Sequence, residues 1–566
     1  MKQHPRRARI SVDLSVRDGR PLSKDRISIY NSGLVPFERY DRDKEYFTDS
    51  GAESLRIDLG WGAEWMPWTT QQVSVGSDGA AQYAFEETDR LADLLESTNT
   101  RPYWSYCYVP IAARPDGGDW RTMAESNDLW VDMVRNYVVH ARERGNRIGY
   151  HEVYNEPDLR DERTAEPVFY SGDLDDYLEL YRQTSAAIRE ADPTARVGGP
   201  ALAFPLINSH WLERFLSMVV AERLPLDFVS FHHYGTFSVE GSLDLVDQAV
   251  AAVDLPYLET HLNEYNSFQI DYPQGGLQDT HLLASAFAAD LPRLLDRPGL
   301  TKVSWAQFLD SGEGNFSGMV TIDGVRKPLY EVYEFYQRMP LERRLVEVEG
   351  PAGVGALASS DDHGASFLVW NRHFAELSID LEVTALDASD AALKIIGPAP
   401  QDEQRVDIVD GRLTIVVPSG AVALLQVDEK SAPVEVRAVQ RAYLRKPDRA
   451  KDGWVDVDEA SGAIMFGVHE QGARLVAAAD FGVDAHPSGW NALIHDANGR
   501  PVSGSLSVRV SRGHEVEHLA FGDPTDSEVA WSQVAPASEH DGYRVVAVLA
   551  GAPAGSFATL QPAATS

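Results

Sequence analysis

The chain has 566 residues, 51 of them Lys or Arg and 86 Asp or Glu, for a formal charge of -35. That length is more than one hydrophobic core organises, so two or three domains are expected. The negative field repels phosphate backbones and anionic lipid, and no run approaches the ~18 apolar residues of a membrane span, so neither nucleic acid nor membrane is an expected partner.

The opening stretch, MKQHPRRARISVDLS, is basic but lacks the apolar run of a secretory signal. A cytoplasmic location is expected, with secretion left open. The one cysteine, Cys107, permits no internal disulfide, which fits a reducing compartment. The segment ISVDLSV alternates apolar and polar side chains, so residues 1–25 read as carrying a strand that joins a β-sandwich further along.

Over residues 26–344, short β-branched or aromatic runs alternate with amphipathic stretches. The runs lie at 27–30, 54–59, 101–106, 148–154, 195–199, 227–233, 257–263 and 302–308. Helix candidates lie at 87–97, 127–144, 175–191, 209–222, 279–295 and 327–338. Eight strand-helix units of this spacing predict an α/β fold, a (β/α)8 TIM barrel. A doubly wound open sheet would carry a glycine-rich phosphate loop after its first strand, and the sequence has none.

Beyond residue 345 the texture changes to short alternating runs at 365–370, 377–383, 413–417 and 421–427. Residues 345–430 therefore read as a β-sandwich domain. Residues 431–566 alternate again, with a turn signal at Asp496-Ala-Asn-Gly, and read as a further β-rich accessory module. A role in binding or in forming a homo-oligomer is open for that module.

Barrel active sites lie where strands become loops at the carboxyl face. The fourth run, Ile148-Gly-Tyr-His-Glu-Val-Tyr-Asn-Glu-Pro-Asp, puts Asn155 and Glu156 at that end. The seventh, Tyr257-Leu-Glu-Thr-His-Leu-Asn-Glu-Tyr-Asn, supplies Glu264, with Glu259 as the competitor should the register differ. Two carboxyl groups across a barrel mouth suit glycosidic cleavage. One protonates the departing oxygen while the other attacks or stabilises the anomeric carbon.

The sequences Tyr154-Asn155-Glu156-Pro157 and Asn263-Glu264-Tyr265-Asn266 resemble the paired signatures of the clan A retaining glycosidases. Within that clan the barrel resembles glycoside hydrolase family 39, whose members include β-xylosidases and α-L-iduronidases. Phe228-Val-Ser-Phe-His-His-Tyr-Gly, Ser304-Trp305 and Ile322-Asp-Gly-Val-Arg-Lys-Pro extend the resemblance, which covers roughly residues 8–430. It implies Glu156 as general acid/base, Glu264 as nucleophile, a double displacement, and carboxyl groups about 5–5.5 Å apart.

Other site residues follow from what the transition state needs. Asn155 is the candidate for the sugar 2-hydroxyl, and Arg56 and Tyr234 are candidates to orient the nucleophile. His232 and His233 point to opposite faces of their strand, and the resemblance selects His232 for substrate. Sugar faces stack on aromatics, for which Trp61, Trp65, Trp68, Trp104, Tyr106 and Trp305 are available. The loop Asp310-Ser-Gly-Glu-Gly-Asn-Phe is expected to wall the pocket. No His-Glu-x-x-His spacing occurs, so neither a metal nor another cofactor is expected. The resemblance implies an exo-acting enzyme on an oligosaccharide or glycoside substrate, a β-xylosidase or related pentosidase. An endo-acting polysaccharide hydrolase and an iduronidase-like enzyme are the nearer alternatives, and a non-catalytic carbohydrate-binding barrel is the alternative of another class.

Overall fold

The computed structural model describes residues 6–427 apart from 64–65, 67–71, 236–238, 269–275, 312–315 and 400, together with nine strands between 439 and 562. It divides into two compact units, one of Lys24–Phe287 with Gly299–Gln337, the other of Met1–Ser23, Ala288–Pro298 and Arg338–Ser566.

In the first unit eight parallel strands close into a barrel. In chain order they are Ile27–Asn31, Ser54–Asp58, Arg101–Tyr106, Tyr150–Val153, Val197–Leu202, Phe228–Tyr234, Glu259–Asn266 and Leu300–Ala306, called here strands one to eight. Strand eight pairs with strand one through Val303↔Ile27 and Trp305↔Ile29, which completes the circle. Strands one to four are buried almost throughout, as expected of a parallel sheet covered on one face by helices and filled on the other by its own side chains.

The helices form where apolar residues recur every three or four positions. Asp128–Arg144 buries Trp130, Met133, Val134, Tyr137, Val138 and Ala141 on one stripe and stops at Gly145, whose φ of 82° suits a residue without Cβ. Leu174–Ala191 starts on a reciprocal cap, with the Asp173 side chain accepting from the Asp176 N–H and the Asp176 side chain from the Asp173 N–H. Three helices add to those expected from the sequence. Phe37–Arg42 and Lys44–Ser50, after strand one, are too short to show a helical period, and Val239–Ala252 follows strand six.

Strand alternation points Trp104 and Tyr106 toward the helices. At the amino end of the barrel the Tyr103, Tyr150, Phe228 and His261 rings pack together, with Phe228 stacked on His261 at 4.5 Å. Gly198 makes room for them, because a Cβ there would lie 2.4 Å from the Phe228 ring.

The second unit contains a nine-stranded sheet in the order Gln404–Asp407, Asp390–Ile396, Ala421–Val427, Gly364–Asn371, Val354–Asp361, Glu342–Glu349, Arg6–Pro21, Leu377–Thr384, Arg412–Val417. Arg6–Pro21 pairs in parallel with Leu377–Thr384 and antiparallel with Glu342–Glu349. Strands from both halves of the order, Ile379 and Ile415 from one and Leu393 and Leu425 from the other, feed one core, so the sheet folds over itself into a sandwich. Further along are a five-stranded and a four-stranded antiparallel sheet, built from strands between Val439 and Pro562. No described helix is long and apolar enough to cross a membrane.

Candidate active site

The carboxyl end of the barrel gathers a dense group of ionisable side chains around one guanidinium. Arg56, on strand two and fully buried, donates from Nε to Glu152 Oε2 at 2.8 Å, from one terminal nitrogen to Glu264 Oε1 at 2.7 Å, and from the other to Asn155 Oδ1 at 2.8 Å. Asp58, two residues along the same strand, lies 3.1 Å from it. Tyr30 on strand one donates to Asp58 at 2.5 Å, and the Arg56 guanidinium sits 5.0 Å from the centre of the Tyr30 ring.

Glu264 receives a second hydrogen bond from the Tyr234 hydroxyl, 2.5 Å away. Burial pushes its carboxyl up to about 7, while His232 and Arg56 pull in the other direction. Burial, reinforced by Glu264, holds the Tyr234 phenol well above its ordinary range, so the phenol keeps its proton and remains a donor.

Glu156 follows strand four on a backbone of two left-handed turns, with φ of 71° at Tyr154 and 44° at Glu156. Such angles are disfavoured for side chains of this size and persist only where surrounding contacts impose them. Here the Glu156 N–H is tied to the Ala201 carbonyl at 3.1 Å. Asp158 accepts from the Ala203 N–H at 2.9 Å and from Asn208 Nδ2 at 2.9 Å. Burial raises the Glu156 carboxyl well above the usual carboxylate range, and Asp158 and Asp58 raise it further.

His232 links the two acids. Its Nδ1 is 2.7 Å from Glu156 Oε1 and its Nε2 is 3.5 Å from Glu264 Oε1. Burial lowers its pKa although Glu264 acts to raise it, so the ring is neutral. One donor atom from each of Glu156, His232 and Glu264 lies within 4.8 Å of the other two. A search for ligand spacing along the sequence could not have found this group, because its members come from strands four, six and seven. The same three donors could surround a cation, but Arg56 already places its positive charge 2.7 Å from Glu264.

The structure thus brings Glu156, Glu264, Asn155, His232, Tyr234 and Arg56 together. His233 faces away and pairs with Ser242 on the helix Val239–Ala252 at 3.1 Å. Glu259 lies at the start of strand seven, where its carboxylate meets His261 and Tyr150, each at 3.1 Å, so it does not compete with Glu264 for the carboxyl end.

The aromatic platforms need correction. Trp61 is fully buried, hydrogen-bonds Thr88 at 3.3 Å and packs on Tyr106 and Tyr137. Trp104 is fully buried too and donates to the Tyr137 hydroxyl at 2.9 Å. Trp305 meets Tyr265 and Phe287 edge-on. Trp104 and Trp305, like Tyr106, lie in the layer between strands and helices because strand alternation turns them away from the barrel interior, and Trp61, in the turn after strand two, packs into the same layer against Tyr106 and Tyr137. Trp65 and Trp68 lie outside the described residues, as do residues 312–315 of the loop after strand eight. Asp310, at the start of that loop, is pinned by Lys327 at 2.8 Å and by the Gly318 N–H at 2.7 Å.

Glu152, Asp58, Tyr30 and Asn263 escaped sequence reasoning. A carboxylate two residues from a cation on one strand, as in Arg56-Ile57-Asp58, was the available signal for Asp58. A lone acid in the middle of the fourth run was the signal for Glu152.

Residues 38–262 match the model of a family described as Glycosyl hydrolases family 39. A beta-xylosidase of Caldicellulosiruptor saccharolyticus is 25% identical over 354 residues, covering 56% of this chain and 70% of that protein. A beta-xylosidase of Geobacillus stearothermophilus is 26% identical over 313 residues, 48% of this chain and 59% of that protein. Among solved structures, a monomeric beta-xylosidase from Caulobacter crescentus matches with a TM-score of 0.62 at 19% identity, covering 74% of this chain and 99% of that one. A GH39 enzyme from Xanthomonas axonopodis pv. citri matches with a TM-score of 0.61 at 21% identity, covering 76% and 98%. At these identities the two structures speak to the fold.

Proposed function

Since the barrel carries the sequence of family 39 of the glycosyl hydrolases over residues 38–262, we propose that the chain is a retaining exo-glycosidase acting on β-xylosides, with Glu156 as general acid/base and Glu264 as nucleophile. The observation that carries this reading is the spacing of the carboxylates, with donor oxygens of the two acids no more than 4.8 Å apart. So close an approach of their nearest oxygens favours the short class, with carboxyl groups about 5–5.5 Å apart and direct attack by the second carboxylate, over the wider class of about 6.5–9.5 Å that admits a water.

The electrostatics divide the roles. Both carboxyls are raised by burial, but Glu264 touches Arg56 and Glu156 touches no cation, so Glu264 ionises first and Glu156 keeps the proton. In the first step Glu264 bonds to the anomeric carbon as the glycosidic C–O bond breaks, and the departing oxygen takes the Glu156 proton. In the second, Glu156 removes a proton from water as the water oxygen displaces Glu264. Neutral His232 accepts a hydrogen bond at Nδ1 from the protonated Glu156 and so holds the acid in place for the first step.

A neutral sugar suits the charge of the site. Arg56 is engaged by Glu152, Asp58 and Glu264, and a uronate would meet these acids and Glu156. The names of the curated relatives support xylose as that sugar and support release of a single residue.

The test is Glu264→Ala assayed on 4-nitrophenyl β-D-xyloside. Turnover should fall about 10⁴-fold or more. Azide, entering the space vacated by the carboxylate, should restore it and yield the α-xylosyl azide. A β-azide, or no rescue in a folded variant, would remove Glu264 from the nucleophile's role.

A further inference from the structure

Glu152 lies on strand four, four residues before Glu156, and is fully buried, with no surface of its own open to a sugar. It nevertheless makes the most extensive contact with Arg56. Its Oε2 is 2.8 Å from Arg56 Nε and 2.7 Å from a terminal nitrogen of the same guanidinium. The other oxygen is held from the opposite side, accepting from Asn263 Nδ2 at 2.5 Å and from the Tyr103 hydroxyl at 3.4 Å. Tyr103 in turn is 3.1 Å from His261. The carboxylate is clamped, and through the planar fork of the guanidinium it fixes where the remaining donors point, at Glu264 and Asn155.

We propose that Glu152 is a positioning residue that sets the nucleophilicity of Glu264 through Arg56. This inference rests on the assignment of Glu264 as nucleophile. The physical reason lies in the charge that moves. When Glu264 attacks, its negative charge disappears into an ester bond, and its attraction to Arg56 disappears with it. A guanidinium paired with Glu264 alone would stabilise the ground state more than the transition state and slow the step. Glu152 and Asp58 share the cation's field, so Arg56 orients the nucleophile without over-stabilising it. The groups facing Glu264 are Tyr30 from strand one, Arg56 and Asp58 from strand two, Glu152 and Glu156 from strand four and its end, and His232 and Tyr234 from strand six. Arg56 is the one cation among them.

Glu152→Gln keeps an acceptor for Arg56 and removes the charge. Asn263 Oδ1 has no hydrogen-bond partner, so rotation of the Asn263 amide gives the new NH2 group an acceptor. The released field of Arg56 should then move the acidic limb of the kcat/KM profile down by about one pH unit. The rate at the optimum should fall about tenfold, and the thermal midpoint should stay near that of the parent protein. Glu152→Asp, which withdraws the charge by one methylene, should move the limb in the same direction by less, and it decides the matter if Glu152→Gln does not fold. A folded variant with the parental acidic limb would overturn the proposal, whatever its kcat. Azide rescue of Glu264→Ala is read separately, so failure of the nucleophile assignment is distinguishable from failure of this one.

Discussion

The two ends of the barrel interior are made from the same residue types and have opposite characters. At the amino end Glu259 meets His261 and Tyr150, each at 3.1 Å, and Arg196 lies 3.7 Å away. Lys302 stands nearby, 5.7 Å from the Tyr150 ring and 3.5 Å from Glu53. At the carboxyl end Glu264 meets His232, Tyr234 and Arg56. A glutamate, a histidine, a tyrosine and an arginine recur in both places. The charge balance differs. The amino end sets Arg196 and Lys302 against Glu259 and Glu53, whereas around Glu264, among the described residues, Arg56 faces Asp58, Glu152, Glu156 and Glu264. A neutralised cluster holds strands together, and a cluster short of cations leaves raised carboxyls that can exchange protons and attack.

The sharpest way to break this comparison is to remove the acid that has no cation. Glu156→Ala should cut kcat/KM on unactivated xylosides by about 10²–10⁴-fold. On substrates such as 2,4-dinitrophenyl β-D-xyloside, whose leaving group departs without a proton, the first step should be nearly intact. Equal losses on both classes would show that Glu156 does something other than protonate the leaving oxygen.

A smaller effect is expected in the pH profile of the unaltered protein. Under the proposed roles, activity requires Glu264 ionised and Glu156 protonated. It should therefore rise as pH climbs through the range near 7 where Glu264 loses its proton, and fall at higher pH where Glu156 loses its own. Both limbs belong on the alkaline side of where two exposed carboxyls would put them, because burial raises both. The same shift carries a sign for stability. A carboxyl whose folded pKa is raised makes the fold lose stability as pH rises from its unfolded value toward its folded one. An optimum near pH 4 with both limbs acidic would contradict the burial seen around these groups.

How much of this was legible in the sequence depended on whether strand alternation held. It held for Arg56 and Asp58, and it correctly separates His232 from His233. It also explains the tryptophans, whose bulk suggested sugar platforms but whose parity places Trp104 and Trp305 against helices. It failed at Glu264 and at Asn155. In strand seven His261 and Asn263 share a face, the latter donating to Glu152, so strict alternation would send Glu264 outward. An irregularity in the pairing with strand six between Leu262 and Glu264 turns Glu264 inward as well. In strand four Tyr150 and Glu152 face inward, so parity keeps Glu156 inward and would send Asn155 outward, and the left-handed turns at Tyr154 and Glu156 accompany the placement of Asn155 against Arg56. Alternation alone does not give the inward placement of Glu264 or of Asn155, and strand-end position together with the motif resemblance picked out both acids. Glu152 obeyed alternation and was passed over because a lone acid in a strand carries no motif.

The smallest effect on activity is expected at the far end. Glu259→Gln retains the shape of the side chain and an acceptor for His261 and Tyr150, but it takes the anion away from Arg196. Breaking a fully buried pair from one side costs about 3–5 kcal/mol, and less is expected here because the Glu259 side chain keeps 12% of its exposure and Asp227 also acts on Arg196. The thermal midpoint should fall by several degrees. The pH limbs should stay where they are in the parent and kcat within about twofold, because the hydrogen-bonded route from Glu259 toward Arg56 runs through His261, Tyr103 and Glu152 in series, and each hydrogen bond in that series is between groups that need not change charge. Should the acidic limb move with Glu259→Gln as far as with Glu152→Gln, the two ends would be one electrostatic unit, and the division between a structural cluster and a reactive one would have to be abandoned.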